Sequence, residues 1–181
     1  MKSKLGVLIL VAGAFCSGSA LASDQQNVVT QVTDKMQLQW QDWHEYVDIR
    51  ENYDETPPSF RQRVFKSLGD NIAENAEKLP QGYILQLLVV DLDLAGDASA
   101  KTQAGVLGVR VFDQGFAPAI SFKFAVLDAD GKVVLDGSEQ LRNRNFLNGR
   151  GSMRFDHDRL AYDKELINTW FSKQVLPAVS Q

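Results

Sequence analysis

Three features of this chain predict an α+β domain: two layers, with two helices packed on a mainly antiparallel sheet. Phe60, Val64, Leu68, Ile72 and Ala76 recur every four residues and mark one long helix. Tyr162, Leu166, Ile167, Trp170, Phe171 and Val175 carry a second helical stripe. Between the two lie strand-like runs, and "AISFKFAVL" and "KVVLDG" flank the turn residues "DADG". The resulting order, β-α-β-(β)-β-β-α, is an α+β pattern rather than a strict alternation.

In chain order, residues 1–22 read as a cleaved export signal. Lys2 and Lys4 precede the apolar run "LGVLILVAGAF", and Ala20 and Ala22 form an A-x-A cleavage pattern. That run is too short for a membrane anchor, which needs about 20 residues. Bulky Phe15 before Cys16 argues against a lipid-anchored form. The expected location is therefore the periplasm. Cleavage removes Cys16, the only cysteine, so the mature chain forms no disulfide. The polar residues 23–35 read as a flexible lead-in, and residues 36–178 as one domain.

Within the domain, Met36, Leu38 and Trp40 alternate with polar residues, as in a strand with one buried face. A loop rich in aromatic and acidic residues follows. Thr56 before Pro57 starts the first helix and Pro80 ends it. In "GYILQLLVVDLDLAG" both faces begin apolar, which predicts a central strand covered on both sides. The odd positions then change to Asp91 and Asp93, so one face should leave its cover there, while Leu92 and Leu94 stay on the opposite apolar face. "VLGVRVF" is a candidate short edge strand. In the hairpin, Ile120, Phe122, Phe124 and Val126 share one face. The first β-α-β step should be a right-handed crossover, which leaves its two strands parallel.

Several chemistries are excluded or left without support. The formal charge is −4, falling to −6 once Lys2 and Lys4 leave (17 basic against 23 acidic side chains), which disfavours general nucleic-acid binding. His44 and His157 have no second ligand at zinc spacing, and there is no G-x-S-x-G nucleophile elbow. "DADGK" lacks the first aspartate of a calcium loop, with Val126 in its place, and reads as a turn. Trp40, Trp43, Tyr46 and Tyr53 can form a sugar platform, but such clusters more often cover a core edge. Asp91 and Asp93 present two carboxylates to one side of a strand, too few oxygens for a calcium or magnesium site on their own. Arg142, Arg144, Arg150, Arg154 and Arg159 lie in an Arg/Asn-rich loop, where guanidinium groups can grip an anion or balance nearby aspartates. The candidate ligand-binding residues are thus Asp91, Asp93, Arg142, Arg144 and Asn145, with no catalytic residue, metal or cofactor assigned.

"VVDLDLAGD", "RVF", "ISFKFAVLDADGKVVLDG", "NFL" and "LAYDKELINTWF" together resemble an exported proteobacterial family, the domain of unknown function numbered thirty-sixteen. The resemblance runs from about Met36 to Phe171, and the D-L-A-G tetrad at Asp93–Gly96 carries much of it. It implies a small exported single-domain protein and brings no catalytic residues. The expected function is a non-enzymatic envelope domain that binds another envelope component or a small ligand. The alternative is a hydrolase, metal-dependent or carboxylate-using, centred on Asp91 and Asp93.

Overall fold

A computed structural model describes residues 28–50, 56–98 and 110–179. Residues 1–22, read from the sequence as an export signal, and Tyr53 lie outside the described residues. Five strands form one sheet in chain order: β1 (Val28–Thr33), β2 (Met36–Gln41), β3 (Ile84–Asp93), β4 (Ala119–Leu127) and β5 (Val133–Arg142). β2 and β3 are parallel across the crossover that contains helix α1 (Pro57–Ala76), and the other pairs are antiparallel. Helix α2 (Ala161–Trp170) runs on through a π-helical turn, Phe171–Val175, into α3 (Leu176–Val179). The protein is α+β, as predicted: a mixed, mostly antiparallel sheet with two helices packed on it.

The helical stripes and one sheet face make the core. Phe60, Val64, Leu68, Ile72 and Ala76 of α1 are buried together with Met36, Leu38 and Trp40 of β2. Trp40 stacks on Phe65 at 4.8 Å between ring centres. On the other side, Trp170 meets Phe122 and Phe124 edge-on at 4.7 and 5.1 Å. These rings hold α2 against β4, because edge-to-face pairs add to the gain from burial. Trp40 and Tyr46 are core residues and Trp43 packs against them half-buried, so the core-edge reading of the aromatic cluster holds for these three.

The structure corrects two expectations and adds detail to two others. Residues 28–33 are not a lead-in. They form β1, antiparallel to β2, with Val29 packed against the core and Val32 exposed. Thr56 precedes α1 as expected, but its hydroxyl meets Ser59 Oγ at 2.8 Å and caps no backbone N–H. Of "VLGVRVF", residues 106–109 lie outside the described residues, and Val111 makes only an isolated bridge to Asp97.

The second correction concerns β3, which is covered on one face only. Leu85, Leu87 and Val89 face the helices, while Ile84, Gln86 and Leu88 are half-exposed on the other side. The register against β4 slips between Val89 and Asp91, leaving Val90 as a bulge that is 42% exposed. An extra residue exchanges the two faces of a strand. Leu92 and Leu94 therefore join Leu85, Leu87 and Val89 in the core rather than facing the other way. Asp91 and Asp93 stay outside because of the bulge, not because the cover ends.

Candidate functional site

At the end of β3 the carboxylates are engaged by the fold. Asp91 Oδ1 accepts the Val47 N–H at 3.0 Å, and Asp93 Oδ2 accepts from Arg142 Nη2 at 2.9 Å. Burial raises the Asp93 pKa, and Arg142 only partly offsets it. One carboxylate is thus met by a backbone amide and the other by an arginine. Arg110 serves Asp48 instead, at 2.8 Å, and also donates to the carbonyls of Gly96 and Arg50. Gly96 has φ +81°, and a Cβ there would lie 2.8 Å from the Val111 carbonyl, so the D-L-A-G tetrad ends in glycine for steric reasons. Behind this corner Asp163 is fully buried and accepts the Ala95 N–H at 3.0 Å. Among the described residues no group of three or more His, Cys, Asp or Glu side chains is placed to hold a metal ion.

The Arg/Asn-rich loop is built rather than merely solvated. Phe146 is fully buried against Tyr162, and Phe112 and Phe155 complete a small second core. Arg142 reaches back to Asp93, and Asn145 accepts the Asn148 side-chain amide at 2.7 Å. Arg144 is exposed and does not meet the other candidates. Arg159 lies over the Phe155 ring. The five sequence-derived candidates therefore do not converge: Asp93 and Arg142 pair, while Asp91, Arg144 and Asn145 stand apart.

A groove of about 880 Å³ lies elsewhere, between α1, α2 and the turns at 149–158. Its floor joins the helices: Asn75 donates to the Asn168 side chain and to the Asn71 carbonyl, and Lys78 donates to Asn75 Oδ1 at 2.7 Å. Asn71 is only 9% exposed, and its Oδ1 has no hydrogen-bond partner among the described residues. An unsatisfied buried acceptor costs about 1–3 kcal/mol and calls for an explanation. Glu165 accepts the backbone N–H groups of Arg150 and Gly151, which pins the turns to α2. The π-helical turn sets Ser172 and Lys173 on the same wall, and such turns recur at functional sites.

Sequence reasoning singled out Arg150 and Arg154 from this groove but not Asn71, Asn75, Asn168 or Lys173. One signal was available: Asn71 and Asn75 stand four apart inside α1, beside its apolar stripe, where asparagine is a poor helix former. No curated protein and no solved structure matches the chain. A family model described as "Protein of unknown function (DUF3016)" matches residues 34–173, which spans both helices, β2 to β5 and the groove. The chain belongs to that family.

Proposed function

We propose that the protein is exported to the cell envelope and works there as a non-enzymatic binding domain. Its ligand is a small hydrophilic molecule held in the groove between α1 and α2. The observation that carries this reading is the groove itself, about 880 Å³ in volume and walled by polar side chains. That volume is in the range of small-molecule sites. The export signal supports the location, with Lys2 and Lys4 before an apolar run and small residues at 20 and 22. The carboxylates at the end of β3 are occupied by Val47 and Arg142, which leaves the hydrolase alternative without a free pair of acids there.

The test is amide NMR of the labelled protein titrated with a set of polar fragments. Shifts should concentrate on residues 67–78, 149–158 and 161–173. Shifts that cluster instead on the open sheet face around Val90 and Val134 would overturn the assignment of the groove.

A further inference from the structure

We infer that the groove selects anionic polyols, ligands in which a carboxylate or phosphate stands beside hydroxyl groups. This rests on the groove being the binding site, and it follows from which of its charges are already used. Lys164 pairs with Asp158 at 2.7 Å, and Asp70 pairs with Lys66. Both oxygens of Glu165 are taken by backbone N–H groups. Among the described residues, the side chains of Arg150, Arg154 and Lys173 have no such partner, and the one carboxylate left free in the lining is Glu74. Counted as charge, the lining side chains without an oppositely charged partner among the described residues are four cations (Lys78, Arg150, Arg154 and Lys173) and two anions (Glu74 and Glu165), which in a chain of formal charge −4 makes a local positive site.

The cations are also pre-positioned. Arg150 and Arg154 lie one turn apart, with the Met153 N–H donating to the Arg150 carbonyl and the Arg154 N–H to the Gly151 carbonyl. Glu165 holds the start of that turn. A Cβ on Gly151 would fall 2.8 Å from both Glu165 Oε2 and Tyr162 Cδ1, so the backbone is seated as closely as glycine allows. Guanidinium forks match the planar oxygens of carboxylate and phosphate, and a fixed backbone lowers the ordering cost of binding.

The rest of the lining is suited to hydroxyls. Ser67, Asn71, Thr169 and Ser172 can each donate and accept, and among the described residues no aromatic ring lines the groove for stacking. Asn71 Oδ1 is an acceptor in want of a donor. The α1 wall from Ser67 to Lys78 spans about 16 Å at helical rise, longer than a single sugar ring.

The experiment is isothermal titration of the full chain with trigalacturonate, glucose 6-phosphate, inorganic phosphate and neutral maltotriose, at low and high salt. Trigalacturonate or glucose 6-phosphate should bind at least roughly tenfold more tightly than maltotriose, with affinity falling as salt rises. Which of the two binds separates a sugar acid from a sugar phosphate. Arg150→Ala with Arg154→Ala should weaken that binding roughly tenfold or more while the circular dichroism spectrum stays unchanged. Equal affinity for maltotriose, affinity for inorganic phosphate as high as for the charged sugars, or binding unaffected by the double substitution would overturn the inference. So would no binding of either charged sugar. If polar fragments still map to the groove by NMR in any of these cases, the binding-domain reading survives and only the ligand class fails; if they do not, both fall.

Discussion

Asp163 sits in the first turn of α2 with 4% of its surface exposed, against the end of β3. Burial pushes its carboxyl up to about 7, opposed in part by the Ala95 N–H and by Arg110. In the unfolded chain the same group titrates near 3.9. Between those values the folded state holds a proton that the unfolded state has lost. The contribution to stability is therefore complete below about pH 4 and disappears as pH rises through about 7. A gap of about 3 units corresponds to at most roughly 4 kcal/mol, and relaxation around the ionised group brings the expected figure to about 2 kcal/mol. Asp163→Asn keeps an oxygen for the Ala95 N–H and cannot ionise. We expect the variant to match wild type near pH ~3.5 and to be more stable by about 2 kcal/mol near pH 8. Urea unfolding followed by tryptophan fluorescence, with the two proteins compared at each pH so that other groups cancel, measures the difference. A variant that loses more stability at pH 8 than at pH ~3.5 would show that Asp163 is ionised and held by Arg110, and would refute the reasoning.

Three further outcomes can be measured. Trp170→Ala should cost about 3–5 kcal/mol in urea unfolding, because the ring is 3% exposed between Phe122 and Phe124. Trp170→Phe should cost less, since it also removes an indole N–H that has no partner among the described residues. Deleting Val90 should preserve the folded circular dichroism spectrum, because Asp91 then follows Val89 in an unbroken register opposite Ser121, which keeps Asp91 and Asp93 outside and Leu92 in the core; loss of the folded spectrum would refute the bulge. Gly151→Ala should destabilise by roughly 1–3 kcal/mol, since its Cβ meets the Ala161 carbonyl at 3.1 Å as well as Glu165 and Tyr162, and thermal unfolding reads the loss.

The elements legible in the sequence were those whose patterns arise within one segment. The stripe of α1, the alternation of β2 and the Asp-Gly hairpin each report a local period, and the structure contains all three. The bulge at Val90 was not legible in the same way. It looks like a change of environment, and only the register against β4 shows that the faces have exchanged. β1 was missed because Val28–Thr33 lies at a sheet edge with a mostly exposed surface, so its alternation carries little apolar contrast. The groove escaped for a further reason: Asn75 and Asn168 meet across 93 residues, and no spacing rule connects them.

The sheet order β1-β2-β3-β4-β5 repeats the order in which a ribosome makes the strands. Each new strand can therefore add to an edge that already exists, with α1 in place before β3 arrives. The last long element, α2 with its π-helical turn, supplies Trp170 to the core and the second wall to the groove. A chain halted before Ala161 would carry all five strands and α1, yet leave Phe122 and Phe124 open to solvent. Synthesis proceeds from the N-terminus, so such a species is a normal stage of making this protein. Closing the hydrophobic interior and completing the groove are then one event, and a half-made chain has only one of the groove's two helical walls.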